Sequence, residues 1–393
     1  MAADGAAVSE LPAEAAALLE RIGERAGLVI TSQGVVTSVE LADAERSAGV
    51  ALASARSHPG AEALLGAVAA EFAGSDAPDA YDWLADSFAA DAVVLTVPSG
   101  VEVRRPVVLL HVLGAGALSP ASSPVPSTGR SGPSGAAAFP RSVVALAEGA
   151  EATVIELLVS DDEPLLVLPT VELSVAAGAR LSHELVQQLG RRAWQIGRLF
   201  STAGRDATLR SFQASLGGEY ARARTDSVLT GQGGTAQLLA AYLGDGDQVH
   251  DFRTLQEHAA PQTTSDLVFK GAVGGTSRSV YSGMIRMRNG AKRANAFQTN
   301  RNLVLSDGAH ADSVPNLDIQ ENDVRCSHAS AVGPIDEEQR FYLESRGVPR
   351  EAAERLILLG FFGELAERVS PAVRDHLFHS IAGRVRAMTE APS

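Results

Sequence analysis

The chain has 393 residues, 45% of them hydrophobic, and a formal net charge of −14. That length supports a large core and more than one structural unit. The acidic balance argues against nucleic-acid binding through a broad basic face. A single cysteine excludes an intramolecular disulfide and fits a reducing compartment.

Residues 1–10 carry no basic segment followed by an apolar one, so they do not read as a secretory signal. No stretch of about 18 apolar residues free of charge occurs, so no membrane span is expected and the expected location is the cytoplasm. Residues 1–90 read as an N-terminal helical region. Residues 11–25 are rich in Ala, Leu and Glu, and 61–72 and 80–88 carry apolar residues at helical spacing. Pro78 and Asp79 give the last of these a helix start.

From Asp91 the texture changes. Ala92-Val93-Val94-Leu95-Thr96-Val97 and Val107-Val108-Leu109-Leu110-His111-Val112 are β-rich and separated by the turn signal Pro98-Ser99-Gly100. Residues 114–140 are almost wholly Gly, Ala, Ser and Pro, and read as a flexible insertion between two strands. From 141 to about 319 short apolar strands follow one another, punctuated by turns such as Ala177-Gly178, Asp245-Gly246, Gly274-Gly275 and Asp307-Gly308. So many strands without helices between them exclude a doubly wound sheet. The length and rhythm fit a stacked solenoid better than a sandwich or barrel. Residues 91–335 are therefore expected to form a β-helix core.

The only cysteine lies in Asn322-Asp323-Val324-Arg325-Cys326-Ser327-His328. On a strand, residues two apart share a face, so Cys326 and His328 would form a soft, two-ligand half-site for iron or zinc. Two ligands do not close a tetrahedral site, so either the rest of the chain completes it or a partner does. Glu321 and Asp323 read as a solvated face. His310 and Asp312 are another pair two apart, which on a coil edge could be a ligand pair or a stacked turn; His250 with Asp251 and His258 with Glu257 read as solvated or hydrogen-bonded ladder residues. The stretch Gly271-Ala272-Val273-Gly274-Gly275-Thr276-Ser277-Arg278 lacks the Gly-Lys-Ser/Thr ending of a phosphate loop, so no bound nucleotide is expected of this chain.

Residues 336–393 read as a C-terminal helical domain of three helices, expected to cap the end of the solenoid. Its apolar stripe, Leu356, Ile357, Leu359, Gly360, Phe361 and Phe362, must in part be core, and an exposed remainder beside Arg355, Glu364 and Glu367 would suit partner docking.

The segment 269–364 resembles the SufB/SufD family of iron–sulfur cluster assembly proteins, and within it the SufD branch. The resemblance rests on Lys270-Gly271, residues 288–298, Thr299-Asn300-Arg301-Asn302-Leu303, Pro315-Asn316-Leu317-Asp318-Ile319, Asp323-Val324-Arg325-Cys326-Ser327-His328, Gly333-Pro334-Ile335-Asp336, Phe341-Tyr342-Leu343 and Ser345-Arg346-Gly347. Leu343 stands where the SufB branch tends to carry a cysteine. Ala329-Ser330 replaces the usual Gly-Ala, and Val314 stands where a Lys often precedes the Pro.

The resemblance implies a mainly β fold: a right-handed parallel β-helix core with helical regions at both ends. It implies a non-catalytic scaffold rather than an enzyme. A transient iron or iron–sulfur cluster would be shared with a SufB-like partner, with His328 and Cys326 at the interface. A SufC-like ATPase would dock on the C-terminal helices, where Phe341, Tyr342, Leu356, Leu359, Phe361 and Phe362 are the candidate contacts. A homodimer is plausible when the partner is absent. The competing expectation is a β-helix polysaccharide lyase or hydrolase, which would need paired carboxylates in a groove.

Overall fold

A computed structural model describes residues 11–72, 79–114 and 136–390. Most of the insertion expected at 114–140, and the N-terminal segment 1–10, lie outside the described residues.

The chain winds as a parallel β-solenoid of about 7 turns, with helices at both ends. Successive strands alternate between a 10-stranded and an 11-stranded sheet. In the first, Arg180–Gln188, Thr208–Ser215, Thr235–Gly244, Thr264–Val273, Asn295–Val304 and Arg325–Pro334 stack in parallel. Ala193–Ala203, Tyr220–Leu229, Val249–His258, Arg278–Met287 and His310–Ile319 do the same in the second. Register is kept from turn to turn: Thr235, Thr264, Asn295 and Arg325 lie directly over one another. Many strands are apolar on both faces, such as Leu238-Leu239-Ala240-Ala241-Tyr242-Leu243. Parallel strands covered on both sides require that pattern.

The N-terminal region is not helical throughout, contrary to the sequence expectation. Helices do form at Ala13–Ile22 and Ala80–Phe88, and two short helical turns form at Ala61–Leu64 and Ala67–Ala70. Between them lie the strands Gly27–Ser32, Val35–Leu41 and Ala51–Ser54. The first two form a hairpin across Gln33-Gly34, both at positive φ, the backbone that two-residue hairpin turns need. Gly27–Ser32 also pairs in parallel with Glu102–Leu113, a long-range partner that local periodicity does not announce.

The C-terminal helices Glu337–Ser345, Arg350–Ala366 and Pro371–Glu390 form close to where the sequence placed them. They do not cap the end of the solenoid, however. The last two lie along the outer face of the 10-stranded sheet. There Leu358, Phe362, Leu365, Val373, Leu377 and Ile381 cover an apolar column that includes Phe212, Leu239, Leu243 and Val268. That column would otherwise be a large exposed patch, which is why helices are needed there. Polar contacts fix the docking. Lys270 Nζ donates to the Phe361 carbonyl (2.9 Å) and pairs with Glu364 (2.7 Å), and Arg368 pairs with Asp266 (2.9 Å). Glu184 accepts from the backbone N–H (2.8 Å) and hydroxyl (2.5 Å) of Ser370.

The interior is largely apolar toward the N-terminal turns, where Val154, Leu158, Leu173 and Leu181 lie inside, but it also holds a buried ionisable group. There the Glu156 carboxylate lies between His111 and His183, 2.9 Å from each ring. Farther along, His250 and His258 are fully buried inside the solenoid; they are not solvated but hydrogen-bonded, His250 to the Ser215 hydroxyl (3.2 Å) and His258 to those of Thr263 (2.7 Å) and Ser265 (2.8 Å). Burial holds both well below the usual histidine range, at about 4. A lowered histidine pKa means that the unfolded chain takes up protons which the folded chain does not. The stabilisation is complete above about pH 6.5 and is lost progressively as pH falls toward 4. The loss is on the order of 2–3 kcal/mol for each histidine. Denaturant titrations at pH 7.5 and 5.0 are expected to show a clear fall in the midpoint at the lower pH. His258→Gln should reduce that dependence while leaving the share of His250, and a pH-independent midpoint in the native chain would contradict the buried neutral rings.

Candidate functional site

The two sheets end on His310–Ile319 and Arg325–Pro334, each the last member of its sheet. One long edge of both strands therefore carries backbone donors and acceptors that no further turn pairs. The register shows which side chains point inward. Cys326, His328, Ser330 and Val332 stack on Ala296, Gln298, Asn300 and Asn302, all of them buried. On the other sheet Ser313, Leu317 and Ile319 stack on Tyr281, Ile285 and Met287, each completely buried. The inward column thus emerges at an open mouth. Val332, Leu317 and Ile319 are exposed there although they occupy core positions.

Cys326 and His328 sit two apart on this inward face of the last strand. Cys326 is half-buried against the cluster of Ile285, Met287, Ala294 and Ala296, and burial pushes its thiol above the usual range. At neutral pH it is a protonated thiol that must lose its proton to bind a metal. His328 is exposed and makes no hydrogen bond among the described residues. Among the described residues, no group of three or more His, Cys, Asp or Glu side chains is placed to hold a metal ion. The pair is a soft thiol–imidazole half-site that another chain's ligands could complete.

Beneath the mouth lies a polar network that the sequence reading did not identify. Tyr242 OH donates to Asn302 Oδ1 (2.7 Å) and accepts from Asn300 Nδ2 (3.1 Å), while Asn302 Nδ2 donates to Asn300 Oδ1 (2.9 Å). Ser279 Oγ donates to Asn302 Oδ1 (3.0 Å). Gln298 Nε2 donates to Tyr281 OH (2.6 Å), which lies 2.9 Å from Thr254 Oγ1. Two glycines make room for it. A Cβ on Gly271 would fall 1.8 Å from Tyr242 Cε2, and one on Gly283 would fall 1.9 Å from Gln298 Nε2. Residues 298–302 are polar without a break, so the sequence does not say which of them point inward; the usual strand pattern would put apolar residues there.

The other candidate residues separate from this site. Glu321 is in a turn, where its carboxylate accepts from the backbone N–H groups of Asp323, Gly290 and Asn322 and is held below the usual range by them. It ties successive turns together. His310 and Asp312 contact each other (3.0 Å) on the outer face of the edge strand. The Gly-rich stretch 271–278 runs strand, turn, strand, with no helix to follow.

Among the candidate partner contacts, Phe341, Tyr342 and Leu356 are 70%, 58% and 50% exposed. Leu359 and Phe361, on the same helix as Leu356, are partly buried against the sheet cluster. Phe362 is fully buried, contrary to its expected role. It faces the sheet because the apolar stripe of its helix is used to cover the solenoid.

The family model "SUF system FeS cluster assembly, SufBD core domain" matches residues 128–361. An iron-sulfur cluster assembly SufBD family protein of Mycobacterium leprae is 38% identical over 220 residues, 54% of this chain and 56% of that protein. The iron-sulfur cluster assembly protein SufD of Escherichia coli is 32% identical over 293 residues, 74% of this chain and 65% of its own length. The Bacillus subtilis protein of the same name is 33% identical over 159 residues, 40% of this chain and 36% of that one. The matched part thus spans just over half of the mycobacterial relative and just under two thirds of the E. coli protein.

Proposed function

The chain belongs to the SufB/SufD family of the SUF iron–sulfur cluster assembly system, and from that premise we propose that it is a non-catalytic scaffold subunit which presents the mouth of its solenoid to a SufB-like partner. A nascent cluster, or iron on its way to one, is the cargo at that junction. His328 and Cys326 supply ligands from this side, and the partner supplies the rest.

The observation that carries the reading is the open end. Two edge strands and the exposed core-type residues Leu317, Ile319 and Val332 surround a soft half-site. A second β-edge laid against them would pair the free backbone groups and bury those side chains together. The same edge offers a second copy of this chain a symmetric contact when the partner is absent. The exposed Phe341, Tyr342 and Leu356 are the surface proposed for a SufC-like ATPase, whose ATP hydrolysis would drive rearrangement at the mouth. This chain binds no nucleotide in that scheme, and it needs neither a membrane nor a nucleic acid.

The test is association with a SufB-like protein, measured by size exclusion and calorimetry. The double variant Ile319→Lys/Val332→Lys places two charges on the edge. It is expected to weaken association at least about tenfold, equivalent to roughly 1.4 kcal/mol. Both side chains are already exposed, so the denaturant midpoint should hold. Unchanged affinity would remove this edge from the interface.

A further inference from the structure

Gln298 is 1% exposed, and its two amide atoms are in different situations. Nε2 is engaged by Tyr281 OH at 2.6 Å, whereas Oε1 is buried without a partner. A buried carbonyl oxygen left unpaired is costly, on the order of 1–3 kcal/mol, and each such case calls for an explanation. The neighbour stacked on Gln298 in the next turn, on the same inward face, is His328. Strands in a sheet are about 4.8 Å apart, so a His328 ring turned back along the column would bring a ring nitrogen toward the amide below it. His328 itself has no hydrogen-bond partner among the described residues.

We propose that Gln298 is the positioning residue of His328: its Oε1 accepts one ring N–H of His328, which fixes the tautomer and leaves the other ring nitrogen bare and aimed out of the mouth. A neutral imidazole has one donor and one acceptor nitrogen, and a hydrogen bond to one decides what the other can do. Metal-binding histidines are commonly held this way by a carbonyl or carboxylate. The rest of the column explains why Gln298 can do this. Its Nε2 is held by Tyr281, which Thr254 approaches in turn, and the bare Gly283 leaves the amide room. The amide is therefore anchored through Nε2, while its buried oxygen is left to accept from the neighbour above it.

The proposal rests on the reading of His328 as a ligand only for its consequence; the hydrogen bond itself is tested in the chain alone. Two-bond proton–nitrogen spectra of the histidine-labelled full chain at pH 8, without iron, report the tautomer of each ring. His328 is identified by the resonances missing from His328→Ala. In the native chain, one pyrrole-type and one pyridine-type nitrogen are expected for His328. Gln298→Met, of similar length but without the acceptor, should draw both toward averaged positions. Gln298→Glu keeps the acceptor and should keep them apart, which separates positioning from simple packing. An averaged ring in the native chain, or a ring indifferent to Gln298→Met, overturns the proposal.

In the complex with a SufB-like partner, Gln298→Met should lower iron affinity about 10- to 100-fold. Affinity restored by Gln298→Glu would support positioning, and affinity unchanged by Gln298→Met would overturn its role at the site. If His328→Ala leaves cluster formation intact, the ligand reading falls while the spectra still decide whether the ring is held.

Discussion

His328→Ala is expected to reduce cluster formation by the complex with a SufB-like partner to background, while the complex itself still assembles. The ring is exposed at the mouth, so its removal costs the fold little. What is lost is the imidazole of the thiol–imidazole half-site. Cys326→Ala should be milder. That thiol is half-buried in the Ile285–Ala296 cluster and burial keeps it protonated, so part of its role is packing. Reconstitution followed by the visible absorbance of the cluster, with size exclusion in parallel, separates the two effects. Full cluster yield from His328→Ala would remove His328 as a ligand. Loss of the complex along with the cluster would recast it as an interface residue.

Gly271→Ala should destabilise the chain by about 3 kcal/mol or more, a large effect for one methyl group. The added carbon would sit 1.8 Å from the ring of Tyr242, which is completely buried. The ring cannot easily move aside. Phe252 packs against it with centroids 4.5 Å apart, and its hydroxyl is held by Asn302 and Asn300. Tyr242→Leu in the same background should recover part of the loss, a coupling between neighbours that independent sites would not show. Urea titrations of the two single variants and the double variant measure this. Equal midpoints for the native chain and Gly271→Ala would place the Tyr242 ring elsewhere.

Much of the architecture was legible in order along the chain. The alternating strands with regular turns, and the absence of helices between them, pointed to a solenoid, and residues 80–88 and the C-terminal helices could be located from their caps and stripes. These signals are local: a helix start or a turn is written within a few residues. The strands of the N-terminal region escaped because Gly27–Ser32 is a strand by virtue of pairing with Glu102–Leu113, far away in sequence. The burial of Phe362 escaped for a related reason. An apolar stripe shows that a helix face is covered, not what covers it.

By itself the sequence determined the family, the strand-rich core between two helical regions, and the pairing of Cys326 with His328 on one strand face, because residues two apart on a strand must point the same way. Only the tertiary structure decided that this face is the inside of the solenoid, that the helices lie along the sheet, and that the last turn ends uncovered. Those facts depend on which apolar column lacks another partner, and the outer column of the 10-stranded sheet took the helices. It also decided that Gln298, Asn300 and Asn302 point inward as a polar column under His328. Stacking in register is a relation between turns, and no single strand records it.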